Sequence, residues 1–184
     1  SHVTLKELGF NWAGGKVSVA PFQVAPDMPV QAVDLSVKGA RLEKLTELVP
    51  DKGITGEGLL DGTLPIRFTD EGPAVRKGYL EARGPGILRY QRSLEEGEAP
   101  SAVDDVLSNL QYSKLRMDID GGLNGGVGIG LHVEGTNPDY LDGYPVVLDV
   151  NVNGPLGAIM NDGLATYKVP SQILERMRRF GQIE

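Results

Sequence analysis

Residues 123–134 read LNGGVGIGLHVE, and this stretch decides the fold class because its apolar side chains recur at every second position. Four of them share one side of an extended chain: Val127, Ile129, Leu131 and Val133. A period of two is typical of a β-strand with one buried face. Glycines alternate on the other side, where they weaken a strand but permit bends and close approach. The stretch therefore predicts a strand in a strongly curved sheet, or one on which a helix lies close.

The same alternation recurs outward from this stretch in five further segments. Residues 114–120 and 146–153 flank it, and residues 16–24, 32–38 and 60–68 repeat the pattern nearer the amino end. Each segment has one apolar side and one polar or bare side, as in antiparallel sheets with a single solvated face. The segments are separated by Gly- and Pro-containing stretches that predict turns.

Three other segments have helical spacing. Residues 101–112 begin with Ser101, and Asp104 follows three positions later, which predicts an N-cap with a capping box. Residues 39–49 and 170–180 carry apolar side chains three and four positions apart, and the last segment ends in arginines. The predicted fold is mainly β (β-rich α+β): a long curved antiparallel sheet with two or three short helices packed on it or capping it.

The composition excludes several classes of protein. The 184 residues suit a single domain, and 18 Lys+Arg against 25 Asp+Glu leave a net charge of −7. Nucleic-acid binding is excluded because phosphates need a basic surface. Disulfides, thiol catalysis and cysteine-ligated metals are excluded because the chain has no cysteine. No apolar run approaches the roughly 20 residues that cross a bilayer.

The residues that catalysis needs are sparse. Only His2 and His132 could act as a histidine base, and His132 lies mid-strand on a polar side, where it is expected to be solvated. Neither histidine has the spacing of a zinc site. Asp118 and Asp120 share a strand side, so composition alone leaves a carboxylate-pair hydrolase open, although solvated groups explain both. The glycines of residues 121–130 alternate with apolar residues and fit no phosphate loop. We expect no enzyme, no metal and no cofactor.

Several motifs follow one another between about residues 54 and 156. They are GEGLLDGTLPIRF at 56–68, GYLEARGPGILRY at 78–90, LQY at 110–112 followed by Leu115, LHVEGTNP at 131–138 and YPVVLDVNV at 144–152. Each is a generic strand pattern, so the specificity lies in their order. In this order they resemble the carboxyl-terminal region of the YdbH-like family, AsmA-type proteins of Gram-negative bacteria. Tyr144 departs from the family pattern, which has a basic residue before Pro145.

The resemblance implies a lipid transporter. Such proteins are anchored in the inner membrane and span the periplasm, and a U-shaped twisted sheet carries phospholipid acyl chains along an apolar groove toward the outer membrane. The chain would then be the carboxyl-terminal fragment of a larger periplasmic protein, with residues 1–184 forming one domain. The groove would be lined by the apolar sides of the predicted strands: Leu60, Leu64, Ile66, Phe68, Leu115, Met117, Ile119, Val127, Ile129, Leu131, Val133, Val146, Leu148, Val150 and Val152.

Three alternatives accompany this interpretation. The apolar sides could form the closed core of a β-sandwich. The chain could instead be a docking or capping module that binds a small outer-membrane lipoprotein by strand addition at an unpaired edge, with helices plugging the groove. The family also carries the label dicarboxylate transport. That activity is disfavoured because a net charge of −7 repels dianions and no paired arginine pocket is evident.

Overall fold

Ten strands form one antiparallel sheet in the computed structural model, which describes residues 3–5, 8–24, 30–47, 53–122 and 126–154. The elements in chain order are β1 (Val3–Leu5), β2 (Leu8–Trp12), β3 (Gly15–Val19), β4 (Phe22–Val24), β5 (Ala32–Arg41), α1 (Leu42–Glu47), β6 (Ile54–Glu57), β7 (Leu59–Thr69), β8 (Gly72–Ala82), β9 (Gly86–Tyr90), α2 (Ala102–Leu107), β10 (Leu110–Gly122), β11 (Gly126–Thr136), a 3-10 turn (Leu141–Gly143) and β12 (Val146–Gly154).

The sheet is a meander with the strand order β2-β3-β5-β7-β8-β10-β11-β12. Two short strands, β6 and β9, extend the sheet at one end. Strand β6 precedes β7 and pairs with β9, and β9 follows β8 and also pairs with the start of β10. At the other end, β1 and β4 pair in the register of the β2–β3 hairpin and extend it. The edge strands β2 and β12 do not pair with each other. Within the described ranges the sheet is therefore open, and the mainly β fold is confirmed.

The segments predicted as strands match observed strands, with one division. The prediction of a single strand over residues 16–24 is wrong because β3 ends at Val19 and β4 begins at Phe22. Pro21 lies in the gap, and proline has no N–H to donate to a ladder. The alternative of a β-sandwich requires two sheets packed face to face. Apart from the β1–β4 pair, the described strands belong to a single sheet, so the described residues do not form a second layer.

The two described helices are shorter than predicted. Over residues 101–112 the capping box of Ser101 and Asp104 is confirmed, but the helix ends at Leu107 and Leu110 already pairs with Leu88 in the sheet. Over residues 39–49 the helix begins only at Leu42, because β5 continues to Arg41 through pairing with β7. The predicted helix over residues 170–180 lies outside the described residues.

The core lies where the helices meet the sheet. Helix α1 packs against β5 and β6, and α2 packs against β9. The largest fully buried apolar side chains there come from the sheet and α2: Leu60, Val106, Leu110, Tyr112, Leu115 and Val133. One end of the sheet is thus closed by helices, and the end that carries the β7–β8 turn is not.

Candidate functional site

The apolar side chains of the sheet form continuous rows across the strands. Residues in register share a face, so the pairing assigns each side chain to a row. The row we call row 2 runs through Val150, Leu131, Met117, Leu80, Gly62, Val37, Val17 and Phe10. Eight strands at about 4.8 Å spacing make such a row about 34 Å long.

Three parallel rows flank row 2 on the same face. Row 1, next to the helices, contains Leu148, Val133, Leu115, Ala82, Leu60 and Ala40. Row 3, on the other side of row 2, contains Val152, Ile129, Ile119, Gly78, Leu64, Leu35, Val19 and Leu8. Row 4, next to the β7–β8 turn, contains Gly154, Val127, Gly121, Val75, Ile66 and Val33. We call the surface made by these four rows the apolar face.

Exposure of the apolar face changes from one row to the next. Row 1 is buried except for the half-buried Ala82, and in row 2 the central Leu80 and Val37 are buried as well. In row 3 the side chains of Ile129, Ile119 and Leu64 are only half-buried. Among the described side chains, row 3 is therefore the row with the most accessible apolar surface, with Gly78 as a position that adds no side chain.

Large apolar side chains are most exposed near the edge and turn that the helices do not reach. Phe10 on edge strand β2 is 53% exposed, and its neighbour Leu8 is exposed to a similar degree. Phe68 at the end of β7 is 49% exposed. Leu8 and Phe10 lie side by side on the apolar face of β2, and Phe68 lies three strands away on β7.

The opposite face of the same sheet is polar and carries a ladder of ion pairs. Each strand interface from β5 to β12 has one: Asp34–Arg67, Asp61–Arg83, Glu81–Arg116, Lys114–Glu134 and His132–Asp149. Such exposed pairs contribute only about 0–1 kcal/mol each. Their main effect is to keep this face wet, so the two faces of the sheet differ sharply in polarity.

His132 pairs with two carboxylates of that ladder and its surroundings. Its Nδ1 lies 2.6 Å from Asp149 Oδ1, and its Nε2 lies 3.1 Å from Glu134 Oε1. These bonds, first that to Asp149 and then that to Glu134, raise the pKa of His132 above its usual value. An imidazole held by two carboxylates favours the charged form. The histidine that we expected to be simply solvated is thus paired on both sides.

The closed end of the apolar face depends on the anchoring of α2. Ser101 and Asp104 form its capping box, and Arg92 donates to both carboxylate oxygens of Asp104 at 2.9 and 3.1 Å. Burial acts to raise the pKa of Asp104, but the bonds from Arg92 and Ser101 outweigh it and hold the pKa below its usual value. Arg92 also pairs with Glu98, which orders the acidic loop before the helix.

Asn137 anchors the other end of α2. It is only 2% exposed, and its Nδ2 donates to the carbonyls of Asp105 and Val106 at 2.9 and 3.1 Å. Its Oδ1 accepts from the Asp139 amide at 2.9 Å. The last carbonyls of a helix have no partner within it, and here a side chain from the loop after β11 supplies one. Asn137 therefore attaches the capping helix to the sheet.

The Tyr112 side chain lies beside Gly58 and Gly86 at the same end of the sheet. Its hydroxyl donates to the Glu57 carbonyl at 2.9 Å. A Cβ atom at Gly58 or at Gly86 would collide with this hydroxyl, and Gly58 also adopts φ +148°. The two glycines thus create the space that Tyr112 occupies.

The structure brings the fifteen candidate groove residues together on one face. The buried ones are Leu60, Leu115, Val127, Val133 and Leu148, and the half-buried ones are Leu64, Ile66, Met117, Ile119, Ile129, Leu131, Val146 and Val150. Phe68 is exposed. For Val152 only the backbone is described, in register with Ile129.

Sequence reasoning missed several contributors to this face and to its closed end. Leu8 and Phe10 alternate with Gly9 and Asn11, a period-two signal that predicts β2. The anchoring role of Asn137 had no comparable signal, because its partners are backbone carbonyls more than thirty residues away.

Within the described ranges, the site contains the groups for apolar contact. No three His, Asp or Glu side chains there come together as ligands of a metal ion. Asp118 accepts from Arg116, and Asp120 accepts from the Lys77 amide, so both carboxylates have partners on the polar face. None of the described helices has the length and apolar character to cross a membrane.

Fold and site together define a class: an open antiparallel sheet with one wide apolar face, closed by helices at one end and backed by a charged face. The model of the YdbH-like family, described as intermembrane phospholipid transport protein YdbH, matches residues 2–178. The chain therefore belongs to the YdbH-like family. This family is one of lipid transport proteins and not an enzyme class. No curated protein and no solved structure matches the chain.

Proposed function

We propose that the chain carries phospholipid between membranes with the acyl chains lying along row 3 of the apolar face. The observation that carries this proposal is the set of half-buried side chains of row 3, on both sides of Gly78, between the buried row 1 and the β7–β8 turn. The family match supports the substrate class.

The dimensions and energetics of the row agree with such a path. A bilayer leaflet has a hydrocarbon thickness of about 15 Å, half of the roughly 30 Å core, so a row about 34 Å long accommodates an extended acyl chain. Each methylene removed from water contributes about 0.8 kcal/mol. The path needs no nucleophile or metal, only an apolar surface that extends from one edge strand to the other.

The orientation of the rows gives the axis along which lipid would move. Rows run perpendicular to the strands, so lipid would enter near β2 or β12 and leave at the opposite edge. In a longer protein, further strands paired to these edges would continue the row, and this chain would form one segment of a periplasmic bridge anchored in the inner membrane. Movement along the sheet needs no opening of the closed end beside α2.

Photo-crosslinking tests the path. A benzophenone amino acid is placed at Ile129, Leu131 or Val150 on the apolar face, and in the control at Val147, which is 39% exposed on the opposite face of β12. After incubation with vesicles of tritium-labelled phosphatidylethanolamine, lipid adducts are expected at the first three positions. Val147 is more exposed than the three test positions, so labelling that depends on accessibility alone would favour it. Adducts at Val147 in an amount equal to those at the test positions would therefore contradict the proposal.

A second candidate function rests on the edge strand β12. Among the described residues no strand pairs with its outer edge, which leaves a row of backbone groups for strand addition. A small outer-membrane lipoprotein could pair there, with the chain acting as a docking module. The test is a crosslinker at Asn151 in intact cells, alone and combined with Ile129→Asp. A lipoprotein adduct that survives the charge on the apolar face favours docking, whereas the absence of any such adduct excludes it.

A further inference from the structure

The interface between β3 and β5 departs from the ladder of ion pairs on the polar face. Each strand interface from β5 to β12 carries an acid with a base, whereas β3 and β5 place Lys16 in register with Lys38. Both lysines lie on the polar face, because their neighbours Val17 and Val37 belong to row 2. Like charges directly opposite each other in an antiparallel pair are destabilising. An anion between the two ammonium groups would remove this repulsion.

The two lysines also lack the partners that most cations of the chain have. Every arginine in the described ranges pairs with a carboxylate, and so do Lys44 and Lys114. The side chains of the other three described lysines, Lys16, Lys38 and Lys77, have no ion-pair or hydrogen-bond partner in those ranges. In a chain with a net charge of −7, Lys16 and Lys38 thus form a local site of unneutralised positive charge.

Asp61 is close enough to feel the charge of Lys38 but does not pair with it. The bond from Arg83 is the main cause that lowers the pKa of Asp61, and the charge of Lys38 makes a smaller contribution. Oδ1 of Asp61 accepts from the Gly39 amide at 2.7 Å and from Arg83 at 2.8 Å, and Oδ2 accepts from Arg83 at 2.6 Å. Because these oxygens are engaged, the Lys38 ammonium is left for another anion.

A bulge in β5 and the turn between β2 and β3 shape the site. The register of β5 with β7 shifts between Val37 and Ala40, and Gly39 there has a φ of +68°, as in bulges that re-aim a neighbouring side chain. On the other side, the Ala13 carbonyl accepts from the Arg41 amide at 2.8 Å, which fixes the turn to β5. The result is an open cavity of about 540 Å³ lined by Asn11, Gly14, Gly15, Lys16, Lys38 and Gly39.

Asn11 and the glycines suit this cavity to an oxyanion. Asn11 is in register with Lys16, and its side-chain amide, a donor, has no partner in the described part of the chain. Gly14 cannot carry a side chain, because a Cβ atom would lie 2.6 Å from Arg41 Cδ, and a Cβ atom at Gly15 would collide with the backbone of Gly39. The wall between the two lysines is therefore bare backbone.

A phosphate group fits these donors better than a dicarboxylate does. A phosphate monoester carries between about 1.5 and 2 negative charges at pH 7, and its oxygens surround one atom. Cross-strand neighbours have Cβ atoms about 4.5–5.5 Å apart, so two flexible lysine side chains can reach one such centre. A dicarboxylate holds its charges on two separate carbons. The cavity also leaves room for a group esterified to the phosphate.

We propose that Lys16, Lys38 and the Asn11 amide bind a phosphate group on the polar face, at the interface of β3 and β5. A phospholipid headgroup and a free phosphate ester present the same oxygens to these donors, so the chemistry is shared by both sources. The site lies on the face opposite row 3 and does not require the chain to carry acyl chains.

Amide NMR shifts in the full chain test the binding, with inorganic phosphate as the probe and chloride keeping the ionic strength constant. Saturable shifts are expected at Lys16, Lys38 and Gly39. Lys16→Gln and Lys38→Gln should each weaken phosphate binding about fivefold, the effect of one exposed ion pair. The matched control Lys77→Gln neutralises another unpaired lysine and should leave the binding unchanged. No saturable shift in the parent chain, equally tight binding of succinate, or an equal loss in the control would overturn the proposal.

Charge reversal provides a second measurement. The variant Lys16→Glu places a carboxylate opposite Lys38, as at the other strand interfaces. It should abolish the phosphate shifts and raise the urea midpoint of unfolding, because attraction replaces repulsion. Unchanged phosphate affinity in this variant, or a urea midpoint below that of the parent chain, would refute the argument.

Two soluble phosphates without acyl chains identify the source of the group. Binding of glycerophosphoethanolamine, together with fewer phosphatidylethanolamine adducts at Ile129 in Lys16→Glu, would assign the site to the lipid headgroup. Binding of glycerol 3-phosphate alone, with unchanged adducts, would assign it to a free phosphate ester. If inorganic phosphate binds and no lipid adduct forms in either protein, the phosphate site stands and the proposed function fails.

Discussion

Asn137 allows the anchoring of the capping helix to be tested by a single truncation. The change Asn137→Ala removes the donor to the Val106 carbonyl and the acceptor for the Asp139 amide. Asp105 loses a bond as well, but its carbonyl keeps the Ser108 hydroxyl at 2.7 Å. The principal loss is therefore one buried helix carbonyl and one loop amide without a partner.

The expected cost follows from these groups. A buried polar group left without a partner costs about 1–3 kcal/mol, and the Asp139 amide contributes less because it lies near solvent. We expect Asn137→Ala to lower the free energy of unfolding by about 2–3 kcal/mol. Because α2 contributes the buried Val106 and Leu107 to the core, detachment of the helix should also expose the core to protease.

Urea unfolding followed by circular dichroism measures this cost, with Asn109→Ala as the matched control. Asn109 lies next to the same helix, but among the described residues its side chain makes one exposed hydrogen bond, to Asp139, and its buried Oδ1 meets no partner there. The control should cost below about 1 kcal/mol. If Asn137→Ala remains within about 0.5 kcal/mol of the parent chain, Asn137 does not anchor the helix as described.

The remaining predictions concern single contacts. The pKa of His132 is raised above 6.5 by its bonds to Asp149 and Glu134, so this pairing stabilises the fold fully below that pH and the stabilisation is lost as pH rises through the raised pKa. The urea midpoint difference between the parent and His132→Ala should therefore shrink as the pH rises above 6.5 through the raised pKa. At Gly78 a Cβ atom would lie 2.7 Å from Val75 Cγ1, so Gly78→Ala should cost about 1–3 kcal/mol, whereas Gly84→Ala, with open space around it, should cost far less. Tyr112→Phe removes the bond to the Glu57 carbonyl and should lower the free energy of unfolding by about 1–2 kcal/mol, with the mutant's unchanged strand signal in circular dichroism as the check that the fold persists.

Much of the sheet was predictable because apolar and polar residues alternate along a strand that has one solvated face. Residues 114–120 alternate without exception and residues 146–153 do so apart from Val147, and both became long strands. Residues 101–112 show the limit of this approach. Leu110 continues a helical spacing from Val103, yet it pairs with Leu88 in the sheet, because tertiary pairing outweighs a local periodicity over so few residues.

The apolar face was predictable in its composition and not in its gradient of exposure. Period-two alternation places Leu60 and Ile129 on the same side and cannot distinguish the buried row 1 from the half-buried row 3. The difference arises from where the helices pack, and this depends on long-range contacts such as those of Asn137. His132 illustrates the same point, since its two carboxylate partners become neighbours only once the strands are in register.

Paramagnetic broadening by a spin-labelled phospholipid tests the central claim most directly. The methyl groups of isoleucine, leucine and valine are observed by NMR in the full chain, with the spin label near the end of an acyl chain. We predict strong broadening at Ile129, Ile119 and Leu64 in row 3 and none at Val147, which is exposed on the polar face. Equal broadening on both faces, or broadening at Val147 alone, would contradict an acyl-chain path along the apolar face.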